Sequence, residues 1–582
     1  MTNCKNTNKI FFNMRERIII LGAGVMQGPA IRIARELGLF AVVADGNPDA
    51  PCASMADQFA HIDLKDKEGI EAFARSLQKD GGLAGIMTAG TDFSATVAWV
   101  AERLGLPGIP YEAALNASDK ARMRACFDKA NLPSPAFTAI TRDAALDDIA
   151  LSFPLVVKPV DNMGGRGCRR VGTIEELDEA AADALRFSRS GRAIVEAFMD
   201  GPEFSVDAIV YHGEITICGL ADRHIFFPPY FIEMGHTMPT DFPPQQQEAL
   251  LETFCAGVRA LGLAGPESIG AAKGDIKLTP QGQGTLVPMI GEIAARLSGG
   301  YMSGWTYPYA SGVEPVRAAI LAAVGRKPDG LMPLKNWTCA ERAFISIPGT
   351  VKAITGVETA RNLPHVRDLF LRAAEGGKVS FPQNNVSKCG NIIAAAPNRA
   401  AAVTAAETAA RSILIRLDPT DPETATFLSS DAAFPPDAFP LTPALRDALA
   451  QLPETTLFPP ESLTRRHGEH GEHGKEKAQI CNSPPPPPLS VPPVPPCEAL
   501  LLTPFPVFTK SNLTDYMGRT VAESLRAVRE LTGLLLPEIG ESTYNTTDNK
   551  GSFLESRFLG RSFWAALARG GYQGAVYYIN HL

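Results

Sequence analysis

Two carboxylates and a guanidinium stand close together in one stretch of this sequence. Asp275 precedes Ile276-Lys277-Leu278-Thr279, a Pro/Gly turn occupies 280–284, and Thr285-Leu286-Val287-Pro288-Met289-Ile290 leads into Gly291-Glu292-Ile293-Ala294-Ala295-Arg296-Leu297-Ser298-Gly299-Gly300. That is the pattern of two short strands joined by a turn. Asp275 opens the first strand and Glu292 closes the second, so antiparallel pairing predicts both carboxylates at one end, with Arg296 in reach. Two acids and an arginine beside glycines suit Mg²⁺ and a phosphoryl group in transit. A solvated hairpin with scattered charges stays open on this stretch alone.

Further groups of the same kind lie upstream. A buried-type strand at 153–157 delivers Lys158-Pro159, and Asp161-Asn162-Met163-Gly164-Gly165-Arg166-Gly167 follows directly. A lysine at a strand end with a mobile glycine loop beyond it can hold phosphates through its amine and the loop N–H groups. The sequence has no G-x-x-x-x-G-K-[ST], which disfavours a Walker-type nucleotide site. Ser118 or Asp119 is placed to cap a helix that begins at Lys120. Glu196 ends one strand and Glu203 begins the next, across Asp200-Gly201-Pro202. Arg223, His224, Glu233 and His236 fall in a polar and aromatic segment read as loop, where a histidine is ordinarily surface decoration.

These residues require elements to hold them. The run Arg17–Leu21, a glycine turn 22–28, a helical pattern at 29–37 and a strand ending in Asp45 form the opening of a doubly wound α/β sheet. The third glycine falls one place late for the dinucleotide fingerprint, so the secure reading is a strand-to-helix turn, and a dinucleotide-dependent reductase is a minor alternative. A strand at 83–87, helices at 94–104 and 245–261, and a mixed strand and helix pattern through 417 follow. Composition then shifts. The stretch 418–499 is rich in proline and contains His467, His470 and His473, and it reads as a linker with polyproline II character. A tail at 500–582 has helical patterns at 521–531 and 562–568.

The bulk properties narrow the class. At 582 residues with a net charge of −8, the chain is long enough for several domains and lacks the basic excess of a nucleic-acid surface. Its ten cysteines are dispersed without a Cys-x-x-Cys, as expected of reduced thiols in a cytoplasmic protein. No apolar run approaches the roughly 18 residues that span a bilayer. Residues 1–14 read as a disordered leader.

The order of these features resembles the ATP-grasp carboxylate–amine ligases, near the branch of biotin carboxylase, carbamoyl-phosphate synthetase and L-amino-acid ligases. The resemblance rests on Gly22-Ala23-Gly24 with Asp45-Gly46-Asn47-Pro48, Asp119-Lys120, Val157-Lys158-Pro159 with Gly164-Gly165-x-Gly167, Glu196-Ala197-Phe198 with Gly201-Pro202-Glu203, and Glu292-x-Ala294-x-Arg296. It implies a multidomain α/β and α+β chain. A Rossmann-like domain (15–115) would precede an ATP-grasp domain (116–325) and a small C-terminal α+β domain (326–417), then the proline-rich linker (418–499) and an accessory tail of unknown fold (500–582).

The resemblance also implies roles. Lys120 and Lys158 would hold ATP phosphates under a lid of Gly164, Gly165 and Gly167. Glu196 and Phe198 would take the adenine edge and Glu203 the ribose. Asp275 and Glu292 would bind Mg²⁺, or Mn²⁺ in its place, and Arg296 would stabilise reacting oxyanions. The expected partners are a small carboxylate and an amine, with an acceptor pocket around Arg223, Glu233, His236 and 298–301. Neither nucleic acid nor membrane is expected, and a homodimer is compatible. Two departures stand out: Asp275 is shorter than the usual Glu, and Ala294 replaces the usual Asn. Water or Ser298 would have to supply the missing oxygen, or metal binding is weaker, which leaves a catalytically degenerate ATP-binding scaffold as the alternative to a ligase.

Overall fold

The computed structural model describes residues 15–282, 284–453, 501–502, 505–534 and 558–581. The expected leader and the greater part of the expected linker, with its three histidines, lie outside them. The chain divides into two compact units, the first running to Ile345 and adding Gly356–Arg372 and Phe381–Ile413. The second comprises Ser346–Thr355, Ala373–Ser380 and the chain from Leu414 onward.

The first unit opens with a parallel sheet of β1 (Arg17–Leu21), β2 (Phe40–Asp45), β3 (Gln58–His61) and β4 (Leu83–Thr88), in the order β3-β2-β1-β4. Ile18, Ile19, Ile20 and Leu21 are fully buried, as are residues 41–44. That is why both strands read as unbroken apolar runs: a parallel sheet is covered on both faces. The Asp45 carboxylate accepts from the Ala23 N–H at 2.7 Å and the Asn47 N–H at 2.8 Å. It therefore staples the glycine turn to the end of β2.

A second, antiparallel sheet joins β5 (Phe137–Ile140), β6 (Leu155–Pro159), β7 (Arg169–Val171) and β8 (Ala193–Ala197) in the order β5-β8-β6-β7. Asp119 caps the helix Lys120–Lys129, accepting from the N–H groups of Ala121 and Arg122. The cap fixes where the helix starts, and hence where Lys120 leaves it.

The largest sheet has eight strands. Past β8 the chain forms β9 (Glu203–Tyr211), β10 (Glu214–Phe226), β11 (Ile232–Met238), β12 (Ile269–Gln281), β13 (Thr285–Ala294), β14 (Thr338–Phe344), β15 (Gly349–Thr355), β16 (Val366–Leu371), β17 (Lys378–Val379), β18 (Gly390–Ala396) and β19 (Leu414–Leu417), of which all but β15, β17 and β19 belong to this sheet. The order is β13-β12-β9-β10-β11-β14-β18-β16. The segment holding Arg223 to His236, expected as loop, is instead β10 and β11, and all seven residues of β11 are buried. Polar side chains hid the strand pattern because they line a cavity. Strand β16 was not anticipated, and β14, β16 and β18, from the stretch expected as a small separate domain, continue this sheet. Helix Pro244–Ala260 packs on β12 and β13 through Phe254 and Gly257.

In the second unit, β17, β15 and β19 form a three-stranded sheet. Residues 418–453, expected as the start of a linker, contain helices Pro422–Ser429 and Pro443–Ala450. The prolines there occupy first-turn positions, and the side chains of Asp421 and Thr442 cap the two helices. Proline at that position favours a helix start rather than an extended linker. The tail is not separate from this region: Phe439, Leu445, Phe508, Phe563 and Trp564 share one buried cluster. Among the described residues, no helix is long and apolar enough to cross a membrane.

Candidate active site

The site grows from three adjacent strands. On β12, Asp275 stands opposite Glu292 of β13 and opposite Ser205 of β9. Lys273 stands opposite Ala294 and Asp207, and Lys277 opposite Met289 and Glu203. Successive odd positions of β12 share one face, so Lys273, Asp275 and Lys277 line it together. The antiparallel pairing expected from sequence is present, but Asp275 lies in mid-strand and does not open it.

A bulge makes the pairing of carboxylates possible. Register shifts between Asp275 and Ile276: Ile276 faces Ile290, whereas Asp275 faces Glu292. Gly291 is the extra residue, and without it Glu292 would point to the opposite side of the sheet. A Cβ on Gly291 would lie 3.0 Å from the Asp275 carbonyl oxygen. The Gly291 carbonyl accepts from Arg124 Nη2 at 2.6 Å, and Arg124 Nε donates to Glu196 at 2.9 Å. Arg124, fully buried, thus ties the bulge to the end of β8.

The basic groups converge on the same face. Lys120 Nζ lies 3.4 Å from Glu292 and donates to the Asn162 carbonyl at 2.9 Å. Lys158 Nζ is 2.7 Å from Glu196. Burial works to raise the Glu292 carboxyl, but Lys120, with Lys158, Lys273 and Arg296, draws it down to about 2. Glu196 is lowered against its burial by Arg124 and Lys158. Its carboxylate, expected at the adenine edge, is committed to these two cations. What the end of β8 presents to the cavity includes Ala197 and Phe198, whose ring stacks on Phe231 at 6.1 Å and 14°.

Over this face runs the glycine loop. Gly164, Gly165 and Gly167 have φ of 71°, 75° and 66°, conformations that a side chain strains. The Gly164 carbonyl of the loop accepts from the Asn385 N–H at 2.9 Å, while the Asn385 side chain accepts from the Glu233 N–H at 2.8 Å.

Arg223 links Glu203 and Asp275 to a second cluster. Its guanidinium pairs with Glu203, with Asp275 at 3.1 Å and with Glu233 at 2.8 Å. His236 is no surface residue: it is 2% exposed, with Nδ1 3.0 Å from Glu341 and Nε2 3.6 Å from Glu233. Burial alone would raise the Glu233 carboxyl, yet His236, Arg223 and Lys388 hold it well below the usual range. Lys388 Nζ donates to the Glu233 carbonyl at 2.7 Å. The Ser298 N–H and hydroxyl both donate to Asp207.

Sequence reasoning missed Arg124, Lys273, Lys277, Glu341, Arg372 and Lys388. The period-two spacing Lys273-x-Asp275-x-Lys277 was a usable signal. The others lie far along the chain from their partners, and nothing local marks them.

All of this surrounds one cavity of about 360 Å³. Its walls carry Lys120, Lys158, Arg166, Arg223, Lys273, Lys277, Arg296, Arg372 and Lys388 against Glu196, Glu203, Glu233, Asp275 and Glu292, an excess of four positive charges. Arg296 is 9% exposed and donates to the Leu297 carbonyl, while its Nε is buried without a hydrogen-bond partner. A buried donor left over in a cationic cavity fits an anionic ligand, since an unmet donor is costly. Two facing carboxylates fit Mg²⁺ that takes its remaining oxygens from phosphates and water.

Comparison with known proteins agrees. The chain matches the profiles of an ATP-grasp N-terminal domain over 31–108, an ATP-grasp domain over 151–266 and an L-amino acid ligase C-terminal domain 2 over 343–418. It is 26% identical to uncharacterized protein y4rH of Sinorhizobium fredii, over 69% of this chain and 83% of that protein. It is 26% identical to carnosine synthase 1 of Gallus gallus over 64% of this chain, and 36% identical to a D-alanine–D-alanine ligase of Marinobacter nauticus over 21%. It spans only 43% and 39% of those two proteins. An L-amino acid ligase from Bacillus licheniformis superposes with a TM-score of 0.60 at 22% identity, covering 70% of this chain and 99% of that one. The biotin carboxylase domain of Hydrogenobacter thermophilus 2-oxoglutarate carboxylase, crystallised with MgADP, gives 0.53 at 18% identity over 69% and 91%. The chain thus carries, in order, the domains of an ATP-grasp ligase, a class of enzyme that uses ATP and Mg²⁺.

Proposed function

We propose that this enzyme activates a carboxylate with MgATP as an acyl phosphate and joins it to an amine. A carboxylate oxygen attacks the γ-phosphorus and ADP leaves. The amine nitrogen then attacks the acyl carbon, losing a proton as phosphate departs. The observation that carries this reading is the cavity's positive excess around the facing pair Asp275 and Glu292.

In this reading Lys120 and Lys158 hold phosphate oxygens and the loop with Gly164, Gly165 and Gly167 closes over them. The strand end at Phe198 meets the adenine, with the Glu196 carboxylate acting through Lys158, and Glu203 meets the ribose. Asp275 and Glu292 hold Mg²⁺, which when bound neutralises charge on the transferring phosphoryl group. Arg296 takes the developing oxyanion through its unmet Nε–H. The acceptor pocket lies where Arg223, Glu233 and His236 meet Gly299 and Gly300. A carboxylate beside buried cations there suits amino-acid substrates, as the relatives' names also do. We place the enzyme in the cytoplasm.

The test is ADP release with pools of amino acids and small carboxylates. Lys158→Ala should lower turnover by about 10²–10³-fold, as loss of one well-placed donor does. Turnover equal to the wild type would remove Lys158 from the phosphate site, and no product from any pair would overturn the ligase reading.

A further inference from the structure

Across the strand pair from Ala294 stands a cation. Lys273 is the direct cross-strand neighbour of Ala294. Its side chain is 14% exposed, lines the cavity, and pairs its ammonium with the Asp275 carboxylate. We infer that Lys273 is a fixed cation at the metal position, so that the site works with a single divalent ion per nucleotide. This rests on the ligase reading above.

A second ion would need oxygen donors, because Mg²⁺ demands a near-octahedral oxygen shell. The oxygens near this corner are few, and each is already engaged. Ala294 has no side-chain oxygen. Asp207, on the other side of Lys273, accepts from the Ser298 N–H at 2.8 Å and from the Ser298 hydroxyl. Ser205 donates to Asp275 at 3.3 Å. Asp275 and Glu292 suffice for one ion completed by phosphate and water, and the ammonium repels a second. Phosphoryl-transfer sites of other folds meet the same charge demand with two ions. Here one of the two charges is covalently fixed.

The ion count can be read directly. Wild type is titrated with Mn²⁺ in the presence of a non-hydrolysable ATP analogue, and bound ion is measured by paramagnetic resonance with calorimetry alongside. We expect one Mn²⁺ per chain at saturation for wild type and for Lys273→Arg. For Lys273→Gln we expect a second ion, and analogue affinity about tenfold weaker at one equivalent of metal. Two nucleotide-dependent ions in wild type would overturn the inference and leave the ligase reading intact. One ion in both wild type and Lys273→Gln, with unchanged analogue affinity, would also overturn it. The wild-type count decides even if Lys273→Gln does not fold. Absence of any nucleotide-dependent ion in wild type would overturn the ligase reading, and this inference with it.

Discussion

Glu292 shows how far the charges of this site depend on one another. Its carboxyl is held at about 2 by Lys120 and the neighbouring cations in spite of burial. A carboxyl whose folded value lies below its unfolded value contributes stability that is full above the unfolded value and fades as pH falls toward the folded one. The unfolded value is near 4.5. The stability difference between wild type and Glu292→Gln, from denaturant midpoints of the nucleotide-free protein, should therefore stay constant from pH 8 to pH 5 and shrink below that. A difference that already changes between pH 7 and pH 5 would contradict the pairing with Lys120. At this scale the sequence was informative where a residue type has few uses. Lys120, Lys158, Asp275, Glu292 and Arg296, singled out by residue type, all line one cavity. The bond of Ser298 to Asp207 was not legible because that partner is ninety-one residues away in sequence. The ion pairs of Glu196 were not legible for the same reason: its cations, Arg124 and Lys158, come from two other elements.

At the scale of elements, the bulge at Gly291 decides whether two strands make a site. Periodicity located β12 and β13 but gives every residue a face by alternation, and a single extra residue reverses that alternation. The glycine is required by the close Asp275 carbonyl, not by a positive φ. Gly291→Val should push β13 away from Asp275 and misplace Glu292. Nucleotide-dependent metal binding should weaken and ligase turnover fall by about 10²-fold, the usual cost of misplacing a reacting group by an ångström. Circular dichroism should be unchanged, since the strands on either side keep their pairing. Wild-type turnover in Gly291→Val would show that the bulge has no part in placing Glu292. Strands β10 and β11 were not legible for a related reason. Their inward positions carry Arg223, Glu233 and His236, so the apolar alternation that marks a strand is replaced by site chemistry. Helix-opening Pro422 and Pro443 misled in the opposite direction, since proline reads as linker unless the capping residue before it is weighed.

Over the whole molecule, charge is distributed against its average. The chain carries −8 in total, while the cavity alone carries an excess of four positive charges. A triphosphate approaching from a distance meets the field of the whole chain, and near the mouth it meets the cavity. Which field governs depends on the screening length, about 10 Å at 0.1 M ionic strength and about 3 Å at 1 M. At 0.1 M the scattered surface acids are largely screened from one another's distance, whereas lysines and arginines converging on one cavity of about 360 Å³ act together. At 1 M even that local field is cut, leaving the direct contacts. The dissociation constant of a non-hydrolysable ATP analogue should therefore rise by about tenfold between 0.1 M and 1 M potassium chloride. Adenosine, which lacks the phosphates, should bind equally at both. Calorimetric titration at fixed Mg²⁺ measures both ligands. An analogue affinity independent of salt would mean that the triphosphate does not lie among these cations, and the assignment of Lys120 and Lys158 to its oxygens would fall with that result.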